Sequence, residues 1–319
     1  MVGLDEIRMA QARIEGHVLR TPLVESLALS QGGPAIFLKL ETRQTTGAFK
    51  LRGATNAVLM AGSSAKGFVT ASTGNHGRAV AHAAKAQRRR AVVCMSNLVP
   101  ANKVDAVRAL GPEVHIVGQS QDDAQIEVSR LVREEGLSEI PPFDHPAVIA
   151  GQGTIGLEIV EAMPDVALVL VPLSGGGLAA GVAAAVKGLR PQAKVVGVSM
   201  TRGPAMQRSL LAGRPVAVEE VPTLADSLGG GIGLDNGFTF AMCRDLLDGV
   251  ILLSEEEIAE GIRHAFRAED EVVEGAGAVG IAALIAGKIR PEGPTALILS
   301  GRNIDPALHR RIVEEGALA

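Results

Sequence analysis

Four polar, glycine-bearing turns each follow an apolar run: Thr46-Gly47-Ala48-Phe49-Lys50, Ser72-Thr73-Gly74-Asn75-His76, Ser174-Gly175-Gly176-Gly177 and Ser300-Gly301-Arg302-Asn303. The third has the plainest chemistry. An apolar stretch, Ala167 to Leu173, breaks into glycines and resumes as a small-residue segment to about Leu189. A buried parallel strand, a tight turn and a helix fit that order. Glycines let backbone N–H groups approach a ligand, and the helix start adds partial positive charge. Together they bind anions, phosphate most often. The spacing fits neither G-x-G-x-x-G nor G-x-x-x-x-G-K-[ST], which weakens the dinucleotide and P-loop readings. A purely structural turn competes with the phosphate cradle. Taken singly, Lys50 reads as a solvated lysine, Ser72 to His76 as a helix cap and Ser300 as a strand-end hydroxyl. In open α/β sheets ligands collect outside the carboxyl ends of strands, which is where such turns can converge.

The elements that must position these turns alternate along the chain. A helix is expected from Asp5 to about Gly16 with Asp5 as its cap, then an extended Thr21 to Val24. The strand Ala35–Glu41 leads through a polar turn to a helix from Ala48 to about Ala61, with Lys50 in its first turn. Strands at Gly67–Ala71, Ala91–Met95 and Glu113–Val117 alternate with helices at Asn75–Ala86, Ala101–Leu110 and Asp122–Glu135. Residues 63–145 therefore read as a small three-layer unit with its own parallel sheet. Pro141 to Pro146 is a stiff link out of it. A helix near 153–162, the strand before Ser174, and strands at Lys194–Val198 and Thr295–Leu299 build a second, larger sheet. Gly229 to Gly233 is a loop, and Ser254 with Glu257 has capping-box spacing. No repeat or low-complexity segment is present, and no separate regulatory domain is expected after about residue 315.

Composition removes several classes of function. The 319 residues carry a net charge of -4, no Trp or Tyr and 2% aromatics, which leaves neither the basic footprint nor the stacking platform of a nucleic-acid binder. Cys94 and Cys243 lie far apart, match no metal or redox spacing and read as reduced structural thiols. No apolar run reaches the roughly 18 residues of a membrane span, and the N-terminus lacks signal-peptide character. A cytoplasmic protein without membrane partners is the expectation.

The four turns in this order resemble the pyridoxal-phosphate enzymes of fold type II, the tryptophan-synthase-β-like group, in its threonine/serine dehydratase branch. That branch carries a Gly-Ser-Phe-Lys-x-Arg-Gly-Ala block, here Gly47-Ala48-Phe49-Lys50-Leu51-Arg52-Gly53-Ala54. It also has a Ser-x-Gly-Asn-His block, a glycine-rich phosphate loop and a late Ser-Gly-Gly-Asn block. Within the branch the chain is most similar to the ectoine/hydroxyectoine-utilisation dehydratase subgroup. That likeness rests on Gln44 to Lys50, Ala71 to Arg78, Pro172 to Gly177, Gly197 to Met200 and Leu299 to Asp305.

The resemblance implies two three-layer parallel-sheet α/β domains, a large cofactor-binding one from 1–62 and 146–319 and a small mobile one from 63–145. It implies a pyridoxal 5'-phosphate held as a Schiff base on Lys50, which then serves as base at Cα. Phe49 would pack on the ring, Asn75 would bond the 3′ oxygen, and Ser174, Gly175, Gly176, Gly177 and Leu178 would hold the phosphate. Ser300 would meet the pyridine nitrogen, and Glu274 would lie near the cofactor. Ser72, Thr73, Gly74, Asn75 and His76 would receive the substrate carboxylate, and Thr73 is the second candidate for catalysis. The implied reaction removes water from threonine or a related 3-hydroxy-α-amino acid and then releases ammonia, leaving a 2-oxo acid. Hydroxyectoine or ectoine catabolism is the implied setting, with 3-hydroxy-2,4-diaminobutyrate as one possible substrate and Glu274 as a partner for its extra amine. A homodimer is implied by the family alone.

Departures from the pattern bear on function. Ala48 replaces a serine, and Ser174 replaces the first glycine of the phosphate loop. Thr73 stands where serine racemases of the group carry a second base, and its methyl argues against racemisation. A racemase or a β-replacement synthase is still the alternative enzyme, and a non-catalytic binding protein is the alternative from another class. Ser199 to Ala205 has no carboxylate where racemase-like members bind a divalent cation, so no metal is expected there. Arg302 replaces a glycine, and either faces the site or closes a surface salt bridge.

Overall fold

The computed structural model describes residues 1–72, 74–99 and 101–315. In chain order the elements are α1 (Leu4–Ile14), β1 (Leu23–Glu25), β2 (Ile36–Leu40), α2 (Lys50–Ala61), β3 (Phe68–Ala71), α3 (Asn75–Ala86), β4 (Ala91–Met95), α4 (Ala101–Arg108), β5 (Glu113–Ile116), α5 (Gln121–Glu135) and β6 (Ser138–Glu139). There follow α6 (Pro146–Ala162), β7 (Leu168–Pro172), α7 (Gly177–Leu189), β8 (Lys194–Met200), α8 (Ala205–Ala212), α9 (Thr239–Leu246), β9 (Gly249–Leu253), α10 (Glu255–Ala268), α11 (Gly275–Ile285), β10 (Thr295–Leu299) and α12 (Pro306–Glu315).

Two sheets organise them. One runs β1-β2-β10-β7-β8-β9 and the other β5-β4-β3-β6. All pairs are parallel except β1 with β2, so the larger sheet has one antiparallel edge strand that the expectation of wholly parallel sheets did not include.

Alternation along the strands explains the layers. In β10, Ala296 and Ile298 face a core shared with α1, α6, α7 and α9, whereas Leu297 and Leu299 face a second core shared with α10, α11 and α12. Side chains two apart share a face of a strand, so a near-continuous apolar sequence is needed when both faces are covered. The smaller sheet repeats the logic. Val69, Ala71, Val92 and Cys94 pack on α5, while Phe68 and Ala91 face α2 and α3.

Local corrections follow from particular residues. Helix α1 is capped at Gly3, whose N–H is taken by Glu6 Oε2 at 3.0 Å, so Asp5 lies inside the helix and is not the cap. Helix α6 begins at Pro146, well before the expected 153, with His145 as N-cap and proline in the first turn. Proline there is preset for a helix and lacks only an N–H that would have no intrahelical partner. The capping box at Ser254 and Glu257 is present as expected.

Helix α2, which begins at Lys50, is fixed from behind. A Cβ on Gly151 would stand 2.6 Å from Gly53 Cα, so α2 and α6 touch backbone to backbone. Arg52, fully buried, bonds Glu41 (2.8 and 2.9 Å) and Glu158 (2.6 and 2.9 Å), and Lys39 joins Glu158 at 2.5 Å. Two cations and two carboxylates thus close on each other beneath the helix. No helix among the described residues is long and apolar enough to cross a membrane.

Candidate active site

Three of the four turns meet around the start of α2. Phe49 N donates to Ser300 O at 3.0 Å, Arg302 N donates to Gly47 O at 2.9 Å, and Ala48 forms a bridge with Gly301. These contacts follow from β2 and β10 being parallel neighbours whose carboxyl ends open to the same edge. Lys50 Nζ lies 5.3 Å from the Phe49 ring centroid and donates to Pro142 O at 2.6 Å. Burial pulls the Lys50 ammonium down to about 8, against the opposing pull of the Glu274 carboxylate. An amine with that titration is partly neutral near physiological pH and serves as nucleophile or base.

The Ser72–His76 turn arrives from the smaller sheet at the end of β3. Ser72 Oγ accepts from Gly77 N at 3.1 Å, so the serine does cap the first turn of α3. His76 is buried, and desolvation followed by the Lys50 charge holds its imidazole down to about 3. The ring is neutral. Its Nε2 sits 2.8 Å from Ile140 O, and since a carbonyl only accepts, Nε2 carries the hydrogen. Thr73 lies outside the described residues.

Asn75 sits in a chain of amides. Its Nδ2 donates to Glu274 Oε1 at 2.8 Å, and its Oδ1 accepts from Asn303 Nδ2 at 2.6 Å. Asn303 also donates to Thr46 O at 2.9 Å and accepts from Arg78 Nη1 at 3.1 Å. Burial pushes the Glu274 carboxyl up to about 7, with Asp226 adding to the rise and the Asn75 amide opposing it. Arg302, by contrast, has an exposed side chain, and no ion pair closes on it among the described residues.

The glycine turn completes the site. Gly176 is in the left-handed region at φ 91°, and α7 starts directly after it. A Cβ on Gly175 would stand 2.4 Å from Phe143 Cδ1. One on Gly176 would stand 2.7 Å from Met206 Cε, with Thr239 Cβ and Cys243 Sγ each at 3.0 Å. Side chains are excluded, so the turn presents backbone N–H groups and the open end of α7. Phe143 follows Pro142, so this cradle adjoins the carbonyl that Lys50 faces. His76 Nδ1 and Thr46 Oγ1 are buried with no partner among the described residues. An anion cradle beside a poised amine and unpaired polar atoms fits an aldehyde that carries a phosphate. Among the described residues no group of three or more His, Cys, Asp or Glu is placed to hold a metal.

Comparison with known proteins adds the decisive observation. The description of one family, the pyridoxal-phosphate dependent enzymes, matches residues 14–301. The chain belongs to that family. A protein of Sinorhizobium fredii provisionally named a threonine dehydratase is 62% identical over 98% of this chain and 95% of its own. The L-threonine ammonia-lyase of Thermotoga maritima is 40% identical over 99% of this chain and 79% of its own. The structure of maize serine racemase superposes with a TM-score of 0.91 at 32% identity, covering 99% of this chain and 98% of that one. The chain is accordingly a pyridoxal-phosphate-dependent lyase with the fold expected of the family.

The structure brings Lys50, the glycine turn and Asn75 into one region, as the sequence reading grouped them. Pro142, Phe143, Asp144 and the buried ions beneath α2 join that region without having been singled out, because they lie far along the chain from the residues they touch.

Proposed function

We propose that this enzyme eliminates water from threonine or a related 3-hydroxy-α-amino acid and then releases ammonia, yielding a 2-oxo acid. The observation that carries the reading is Lys50: a desolvated amine at the strand-end edge, titrating at about 8, between the Ser72–His76 turn and the glycine cradle. The names of its relatives support the same substrate class. Hydroxyectoine or ectoine catabolism in the cytoplasm is the setting we propose, and 3-hydroxy-2,4-diaminobutyrate is a candidate substrate within it. We also take the enzyme to be a homodimer in which 63–145 moves against 1–62 and 146–319.

Pyridoxal phosphate, when bound, supplies an aldehyde that condenses with amines and a ring that delocalises the electrons of a broken Cα–H bond. Lys50 is the residue that would hold it covalently. The N–H groups of Ser174 to Leu178 would hold the phosphate, Phe49 would pack on the ring, Asn75 would donate to the 3′ oxygen and Ser300 would meet the ring nitrogen. A serine hydroxyl does not force protonation of that nitrogen, which suits elimination of a nearby leaving group. Glu274 fixes the Asn75 amide, with Nδ2 as the donating end.

The backbone N–H groups at the start of α3 would receive the substrate carboxylate, while the neutral His76 ring is turned to Ile140 O and contributes no cation. Once the substrate amine has taken its place, Lys50 Nζ would accept the Cα proton, which balances the proton the hydroxyl takes up as it leaves Cβ as water. The enamine released into water tautomerises and hydrolyses to the 2-oxo acid and ammonia.

An absorbance spectrum of purified protein, with 2-oxo acid assayed after each candidate amino acid, tests the reading. A cofactor band lost in Lys50→Ala, with oxo acid from a 3-hydroxy amino acid, is the expected result. A band without oxo acid from any candidate overturns the dehydratase and favours a racemase or synthase.

A further inference from the structure

The linker 141–145 between β6 and α6 touches the site from both ends. The Pro142 carbonyl receives Lys50 Nζ at 2.6 Å. The Phe143 ring occupies the space a side chain at Gly175 would need, and its backbone closes on Gly177. His145 Nδ1 accepts from Ala147 N at 3.2 Å and so starts α6. Between them stands Asp144. Its Oδ2 accepts from Gly237 N at 2.6 Å, and its Oδ1 accepts from Phe238 N at 2.9 Å and Thr239 N at 2.8 Å. Those N–H groups are the start of α9, the helix whose Thr239 and Cys243 back Gly176. One carboxylate therefore ties the segment in front of the glycine turn to the helix behind it.

We propose that Asp144 is a positioning residue: its clasp on 237–239 presses the linker between Lys50 and the glycine turn, fixing the Pro142 carbonyl on the amine and Phe143 on the cradle. Nothing in the mechanism above uses this carboxylate, and a helix cap alone would not need to come from a linker some ninety residues away in sequence. A carboxylate accepting several N–H groups at a helix start combines charge-assisted bonds with the favourable end of the helix dipole. An asparagine there keeps one acceptor oxygen and turns an N–H against the N–H groups the other oxygen held. The linker then loosens, water reaches Lys50, and the cradle loses its front wall. The lowered titration of Lys50 by burial agrees with a linker held in place.

The inference rests on reading Lys50 and the glycine turn as the cofactor site. Its test compares wild type, Asp144→Asn and a control, Asp235→Asn, on an exposed position of the neighbouring loop. Pyridoxal phosphate is titrated into cofactor-free protein, the Lys50 titration is followed by pH-dependent reductive methylation, and Tm is recorded. The expected result for D144N is a loss of cofactor affinity of roughly ten-fold or more and a Lys50 midpoint about a unit higher, with D235N like wild type. A fall in Tm with affinity and Lys50 midpoint unchanged overturns the proposal and leaves Asp144 a cap for α9. So does no change at all. If D144N does not fold, Asp144→Glu, which keeps the charge but displaces it, is read with the same signs. Wild type that binds no pyridoxal phosphate would instead sink the cofactor-site reading itself.

Discussion

Lys50 and Glu274 each hold a titration far from the ordinary value, and each is a measurable cost to the cofactor-free fold. Lys50 drops from 10.5 to about 8 on folding. The unfolded chain therefore binds more protons between those values, and stability rises with pH across that window. Below about pH 8 the cost is fully present. Lys50→Met should raise the stability of cofactor-free protein at pH 7 by about 1–3 kcal/mol, as read by urea unfolding. A variant less stable than wild type would mean that the bond to Pro142 outweighs desolvation. Glu274 moves the other way, from 4.5 to about 7. Its folded form binds the extra proton, so that stability is present below about pH 4.5 and is lost as pH climbs through 7. Glu274→Gln should flatten the fall in stability between pH 5 and 7, a difference of about 1–3 kcal/mol at pH 8. An unchanged slope would place the titration elsewhere. Neither shift was legible in the sequence, because both come from burial, which Glu274 opposes at Lys50 and Asp226 reinforces at Glu274, and no local spacing connects these groups.

The elements that carry the site are held by contacts that tolerate almost no change. Arg52, Lys39, Glu41 and Glu158 are all buried, so removing one cation leaves a carboxylate without its partner. Arg52→Met should cost about 3–5 kcal/mol and shift the start of α2, whereas replacing the whole set by apolar residues would cost far less. Thermal unfolding of both variants separates these. Helices α6 and α7 meet just as closely. A Cβ on Gly181 would stand 2.4 Å from Ile149 O, so Gly181→Ala should destabilise by about 1–3 kcal/mol. Elements with strong local signals were readable: α3 and β4 have the very bounds their residues suggested. Those shaped by tertiary contacts were not. Pro146 looks like a link until His145 is seen capping a helix, and β6 is two residues that become a strand only because β3 lies beside them. The turns could be read as a set because, in this order, they resemble the blocks of a known family, whereas singly each has a structural reading. The Arg52 cluster could not, since its members lie up to 119 positions apart and look like ordinary surface charge.

At the scale of the molecule the site belongs to neither sheet alone. Lys50, Ser300 and the glycine turn stand on the larger sheet, and the Ser72–His76 turn stands on the smaller one. Polar contacts join them among the described residues: Asn75 to Glu274 and Asn303, Arg78 to Asn303, Lys50 to Pro142, and Asp144 to the N–H groups of 237–239. Helix α2 supplies the apolar share, with Ala54, Ala57 and Val58 packed among side chains of β3 and α3. A ligand held from both sides binds the assembled state and not the separated one, and so stabilises the junction by mass action, about 2.7 kcal/mol at a hundred-fold excess over Kd. The smaller sheet of the cofactor-free protein has less core around it, so its amides should exchange faster than those of β7, β8 and β10. Pyridoxal phosphate should slow exchange most in β3 and the first turn of α3, where the ligand bridges the two bodies, and little in α10 or α12. Hydrogen exchange with and without cofactor measures this directly. Lys50→Ala supplies the control, because a phosphate held without the lysine should protect the start of α7 but not β3. Uniform protection across both sheets would mean that the chain opens as one body, and that 63–145 does not move as a unit of its own.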